Sequence, residues 1–370
     1  MYLSDKNKKT MLKISYTPSL YNFTPDLPTE ISITTDANAI DITVECDGDA
    51  AFTTTQYPYN NTATLYDIRS VIEGYLLSRN LIFTRFVILA EVTDTNGEIT
   101  ENTNTSERTA IFSRLNIGHN IASAFLQTLF LTTLSSFTIP RNAFQHLTYL
   151  VLPGSTLQCY TECLVLVDGE STPRTLRLTD QNVVTTGVTN LSAYHDIISP
   201  VCILSRLHIK GTLLQFTVHR GALAKTFYVI DRTPNLTLQV RNEFNCFEHV
   251  FLSCVTKRKL SLDRSTATCL GTSTFYDDQS AYEYEVESSM LTEEECSHYS
   301  QLLLSQYTNI IEPDGGSIPV LITDISSEIS DADNATNSIK FKYKYAAHRL
   351  PYTVNLQSNI FDDPFHRTFD

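Results

Sequence analysis

Residues 291–345 carry the most consistent alternation of apolar and polar positions in the chain. Thr292 and Glu295 form a Ser/Thr-x-x-Glu capping box, in which each side chain satisfies an orphan backbone donor at a helix start. Leu291 and Cys296 flank it at the hydrophobic-staple positions. Cys296, Tyr299, Leu302 and Leu303 then recur at helical spacing, which predicts a helix to about Tyr307. Asp314-Gly315-Gly316 marks a turn, 318–323 an apolar strand, and Asp331-Ala332-Asp333-Asn334 a second turn. In Lys340-Phe341-Lys342-Tyr343-Lys344-Tyr345 lysines alternate strictly with aromatics, the period of a strand with one wet face. The pattern predicts one helix laid on a small antiparallel sheet.

Elsewhere strand signals dominate. Runs rich in Val, Ile, Thr, Tyr and Phe occupy 11–17, 30–35, 40–46, 82–93, 108–114, 147–152, 157–167, 213–219, 226–231 and 235–241. Helical spacing is confined to Leu65, Ile68, Ile72, Tyr75 and Leu76 around 64–78, to roughly 119–130, and to the capped helix. Many short strands with polar turns predict a mainly β chain of tandem β-sandwich domains, the third with a flanking α-helix. Punctuation in the first third recurs in the second. Asp47-Gly48 is matched by Asp168-Gly169, Leu65-Tyr66-Asp67-Ile68 by Tyr194-His195-Asp196-Ile197, and the hairpin at Asn96-Gly97 by that at Arg220-Gly221. The expected division is a sandwich at 1–115, a second at 116–232 duplicating it with Asp67 and Asp196 equivalent, a sandwich with a helix at 233–349, and an extended arm at 350–370.

Composition narrows the class. Charged residues are 18%, hydrophobics 42%, and the net charge is −14, which is globular material that repels a phosphate backbone; no specific nucleic-acid binding is expected. Met1 to Lys13 holds four lysines and no apolar core, so no secretory signal is read there. The richest apolar run, Ile121–Leu134, is broken by Ser123, Gln127, Thr128, Thr132 and Thr133, so no membrane insertion is expected. The eight cysteines are scattered without Cys-x-x-Cys. Cys159 and Cys163 on one strand stand about 13 Å apart, too far for a bridge, and buried free thiols are expected throughout.

No constellation reads as chemistry. Asp331-x-Asp333 opens like a calcium loop, but Thr336 and Lys342 stand where glycine and a bidentate glutamate are needed. His195 before Asp196 and His249 after Glu248 adjoin carboxylates, yet neighbours on a strand face opposite ways. No phosphate-cradling, dinucleotide or zinc-protease motif occurs. Lys257-Arg258-Lys259 is expected on a solvated loop, and the Lys340, Lys342, Lys344 face as protection of an edge strand. No catalytic residue, metal ligand or cofactor is assigned. Phe361, Phe365 and Phe369 recur at four-residue spacing, but Pro351 and Pro364 exclude a regular helix. They are candidate interface residues, on a strap packed against its own domain or on an arm anchored to a neighbour.

The strand ending Gln239-Val240-Arg241-Asn242-Glu243-Phe244-Asn245 is followed by Glu248 and a second apolar strand. Phe275-Tyr276-Asp277, the capped helix, Ile318-Pro319-Val320-Leu321-Ile322, Glu328-Ile329 and the Asp331–Asn334 turn come after it. In this order residues 233–349 resemble distal-tail or baseplate-type structural proteins of tailed bacteriophages and prophages of gut Bacteroidetes. The resemblance implies a virion component without enzymatic activity, made in the host cytoplasm and assembled as a homo-oligomer with other tail or neck proteins. Residues 1–232 show no comparable likeness. The alternative expectation is a surface or secreted glycan-binding β-sandwich protein, disfavoured by the absence of tryptophan, whose flat face suits sugar stacking.

Overall fold

Period-2 burial accounts for most of the architecture. In the computed structural model, which describes residues 11–93, 98–115, 122–155, 157–179, 190–269, 271–313, 315–328 and 337–347, the chain is mainly β. The expected turns at Asn96-Gly97 and Asp331–Asn334, and the arm with Phe361, Phe365 and Phe369, lie outside the described residues.

The first stretch contains β1 (Lys13–Ile14), β2 (Tyr21–Phe23), β3 (Glu30–Thr34), β4 (Ile40–Cys46), β5 (Asp49–Gln56), β6 (Thr62–Tyr66), α1 (Ile68–Ser78), β7 (Phe83–Thr93), β8 (Ile99–Asn104) and β9 (Arg108–Ile111). One sheet runs β2-β9-β7-β4-β5, with β8 also on β7, and a second runs β1-β3-β6. Every other residue of β4 is buried: Ile40, Ile42, Val44 and Cys46. They meet Ile31 and Ile33 of β3, Leu65 of β6 and Ile68, Ile72 and Leu76 of α1 in one cluster, the packing of a two-sheet sandwich with a helix beside it.

The second stretch contains α2 (Ala122–Thr128), β10 (Ser136–Pro140), β11 (Gln145–Val151), β12 (Cys159–Val167), β13 (Arg174–Thr179), β14 (Ser192–Ile198), α3 (Pro200–Leu207), β15 (Gly211–Arg220) and β16 (Leu223–Ile230). Its sheets are β10-β16-β15-β12-β13 and β11-β14. β2 lies parallel to β9, and β10 lies parallel to β16. A hairpin follows at Asp47-Gly48 or Asp168-Gly169, and a helix bridges the two sheets. The residue alignment expected from sequence is corrected by the elements. Asp67 caps α1 through its side chain, whereas Asp196 lies within β14, and the N-cap position of α3 is held by Ser199, whose side chain makes no capping bond.

The third stretch contains β17 (Leu236–Arg241), β18 (Phe247–Leu252), β19 (Cys254–Cys269), β20 (Thr272–Ser288), α4 (Glu293–Leu302), β21 (Thr308–Ile311), β22 (Ser317–Glu328) and β23 (Ser338–Tyr345), in a sheet ordered β18-β17-β21-β22-β23-β20-β19. A single buried cluster joins Phe137, Tyr149, Phe216 and Phe227 of the second stretch to Val240, Val250, Tyr299 and Phe341 of the third.

Two of the expected helices change at their ends. Leu65 belongs to β6, and α1 starts only at Ile68, because Asp67 adopts a left-handed conformation (φ 52°) and accepts from the Ser70 N–H at 3.3 Å. Helix α4 stops at Leu302, five residues short. Leu304 and Ser305 close its last turn onto Gln301 and Leu302, and Tyr307 already accepts from Arg241 N–H in the sheet. Helix α3, absent from the sequence reading, carries the Ser199-Pro200 start signal. The capping box forms as expected: Glu295 N–H donates to Thr292 Oγ1, and Thr292 N–H to Glu295 Oε2, both at 3.1 Å. Thr292→Ala is therefore predicted to lower stability by about 1 kcal/mol, read as a shifted denaturation midpoint at unchanged slope. An unmoved midpoint would contradict the cap.

Candidate functional site

The turn between β17 and β18 is where the three stretches meet. Asn245 takes φ 60°, a conformation asparagine tolerates better than most residues, and this folds the chain back so that Phe244 points inward, fully buried. Its ring packs against Phe125 of α2 at 5.4 Å and Phe23 of β2 at 6.1 Å, and these two rings meet edge-on at 5.4 Å. Polar bonds tie the same three parts. Asn245 Nδ2 donates to Leu81 O at 2.9 Å, Asn242 Nδ2 to Leu131 O at 2.7 Å, and Arg114 N–H to Glu243 O at 2.9 Å.

Beside the turn lies a cluster of buried ionisable groups. His298 of α4 stands between Glu248 of β18, whose Oε2 is 2.8 Å from Nε2, and Thr133, whose Oγ1 is 2.5 Å from Nδ1. Glu248 Oε1 also accepts from Asn242 Nδ2 at 2.5 Å. Burial pulls the His298 pKa down, but Glu248, Glu243 and Glu294 together outweigh it, so the pKa is raised. Glu243 is buried with its own carboxyl pushed up by desolvation, against a smaller pull from His298. Lys225 donates to Leu134 O, and burial lowers its pKa against the opposing Glu248 and Glu294. Glu294 reaches Ser135 through N–H at 2.6 Å and Oγ at 2.8 Å.

Thr133, His298 and Glu248 thus stand in the hydrogen-bond order of nucleophile, base and orienting carboxylate. The raised pKa of His298 favours its imidazolium form. A histidine held as imidazolium donates from both nitrogens and has no lone pair to take the Thr133 proton. The set acts as a lock fastening α4 to β18 and to the segment before β10. Its members sit far apart in sequence, so no local motif announces them.

The other feature is an exposed ribbon. β19 is the end strand of its sheet, and β20 is backed by β23 only over Tyr284–Glu287. From Lys259↔Glu283 to Cys269↔Thr272 the two strands continue as a hairpin alone, roughly 35 Å long at about 3.4 Å per residue. Lys257, Arg258 and Lys259 are exposed residues of β19, not of a loop, and Val255 and Leu260 beside them are 62% and 52% exposed. Lys340, Lys342 and Lys344 do not guard an edge either, because β23 lies inside the sheet between β22 and β20. They pair across strands with Glu287 at 3.2 Å, Asp324 at 3.1 Å and Glu283 at 3.6 Å. Half-exposed pairs of this kind add little stability, but a slip by one residue would set lysines against the apolar positions of the neighbouring strand.

The remaining candidates separate. His195 Nδ1 meets Thr148 at 3.0 Å, while Asp196 takes Arg220 at 2.7 Å. His249 Nδ1 meets Phe144 O at 2.8 Å, while Glu248 turns to His298. Neither adjacent pair is a dyad. Cys46, Cys159, Cys163, Cys246 and Cys296 are buried and outside any disulfide, and Cys202 is exposed. Among the described residues no group of three or more His, Cys, Asp or Glu is placed to hold a metal ion, and no helix is long and apolar enough to cross a membrane.

No protein-family model and no curated protein matches the chain. Among solved structures, a chain from the tail of an empty gene transfer agent particle, refined with C6 symmetry, shares 15% identity. It aligns over 32% of this chain and 95% of its own length, at a TM-score of 0.23. A chain from the virion of a native gene transfer agent particle shares 16% identity over 31% of this chain and 92% of its own, at 0.22. Likenesses this slight carry no argument about the present chain.

The lock makes a pH prediction. A histidine whose folded pKa lies above its unfolded value of 6.5 binds its proton more tightly when folded. Its contribution is complete below pH 6.5 and is lost as pH rises through the folded value. Unfolding free energy should therefore fall as pH rises above about 6.5, with a shallower fall in His298→Gln. Equal slopes for the two proteins in denaturant titrations would contradict the charged lock.

Proposed function

We propose that this chain is a non-catalytic structural subunit of a phage-like virion, a tail or baseplate component that assembles with copies of itself and with other tail or neck proteins. The observation that carries the reading is the β19–β20 ribbon. A two-stranded hairpin is marginal in water without a third strand or a packed face, and an open edge strand is a template for pairing with another chain. Val255 and Leu260 offer apolar contacts on that edge, and Lys257, Arg258 and Lys259 place positive charge there on a chain of net charge −14. The acidic surface of a second copy complements it, and a closed ring lets one such interface repeat without open-ended growth.

The resemblance of residues 233–349 to distal-tail and baseplate-type proteins supports the same reading. Its Arg-Asn-x-Phe-Asn segment is the turn on which the three stretches meet. The groups that resemble a catalytic set are occupied as a lock, and no reaction is assigned to them.

The test replaces residues 262–279 by a two-residue turn and, separately, introduces Lys257→Glu with Lys259→Glu. Wild-type protein is predicted to sediment as a homo-oligomer at micromolar concentration. Both variants should shift toward monomer with unchanged far-ultraviolet circular dichroism. A monomeric wild type, or a shortened chain that assembles equally well, would overturn the role of the ribbon.

A further inference from the structure

A cleft of about 360 Å³ opens between the loop after β10, the link from β16 to β17, and the end of β21. One wall is aromatic. The rings of Phe144 and His249 lie 4.7 Å apart at 75°, and those of His249 and Phe251 6.0 Å apart at 67°, the edge-to-face geometry that aromatic clusters favour. His249 is fixed by its bond to Phe144 O, and burial lowers its pKa, so it presents an uncharged ring. Ile311 lines the other side, and Arg141 and Arg232 also line the cleft. Phe144 is 39% exposed, an aromatic left open on a wall whose other rings are packed.

The described chain ends beside this cleft. Ala346 N–H donates to Pro319 O at 3.0 Å. Two residues along the same strand is Ser317, which pairs with Ile311 on the cleft wall, a distance of about 7 Å at strand rise. The sequence from 348 to 370 lies outside the described residues and holds Phe361, Phe365 and Phe369, with Asp362 and Asp363 after the first. Fourteen peptide steps separate Ala347 from Phe361 and span at most about 46–50 Å, so reach is ample.

We propose that the chain's own C-terminal segment docks in this cleft, with Phe361, Phe365 or Phe369 supplying the ring that completes the Phe144–His249–Phe251 wall. The proximity of the chain end selects the parent cleft over that of a neighbour. This inference is independent of the ribbon. A strap on its own body is compatible with any mode of assembly.

Full-length protein carrying p-benzoylphenylalanine in place of Phe361, Phe365 or Phe369, one at a time, tests it. On irradiation at low concentration, at least one position should crosslink to a peptide containing Phe144, Phe251 or residues 231–235, with the product at monomer mass. Adding Phe144→Asp, a substitution at an already exposed ring, should lower that yield at least five-fold. Crosslinks from all three positions that fall elsewhere would overturn the proposal. So would a dimer-mass product, or a yield indifferent to Phe144.

Discussion

The amide of Asn242 has two acceptor positions and two donors, and the fold uses all four. Oδ1 accepts from the Phe244 and Cys246 N–H groups at 3.0 Å each, which shapes the β17–β18 turn. Nδ2 donates to Leu131 O, which holds the segment leading into β10, and to Glu248, which holds His298 and with it α4. Asn242 is 3% exposed, so any bond left unmade there costs about 1–3 kcal/mol of uncompensated desolvation. Phe244 then presses the folded turn against Phe23 and Phe125. The turn ties the first stretch to the other two, beside the buried cluster that joins the second stretch to the third.

With the joint fixed, the sheet of the third stretch can leave one side unfinished. Its inner strands carry cross-strand charge pairs, and its last two strands run on past their support. Glu248, His298 and Asn242 hold the interior parts together. The exposed chemistry is that of a strand edge, apolar and basic in turn. An interface of this kind accounts for the surface better than a reaction would.

Much of this was legible in the chain. Alternation located β4, β7, β12, β15 and β23, and the Thr292–Glu295 box located α4, because both signals are local. The ribbon was not legible, since Ser261–Ser280 is polar and rich in Ser, Thr and Asp, and such a run reads as loop unless its partner strand is known. The misreading of the lysine face had a visible remedy. Tyr282-Glu283-Tyr284-Glu285-Val286-Glu287 has the same period with acids in place of lysines, and that complement marks β23 as an interior strand. The lock could not be read, because Thr133, Glu248 and His298 converge only through the tertiary fold. Asp67 and Asp196 misled for a different reason. Residue identity suggested the alignment, whereas Asp67 stands at the N-cap of α1, Asp196 lies within β14, and the N-cap of α3 is Ser199.

The central claim is that the 241–246 turn is a structural joint of the whole subunit and not a surface loop. Native-state hydrogen exchange measures this at single amides. The Phe244 and Cys246 amides, bonded to a buried side chain, should exchange only through the same global opening as Ile88 in β7 and Phe216 in β15, with matching free energies and denaturant dependence. Exchange of these two amides through a low-energy local opening, while the strand amides stay protected, would contradict the account.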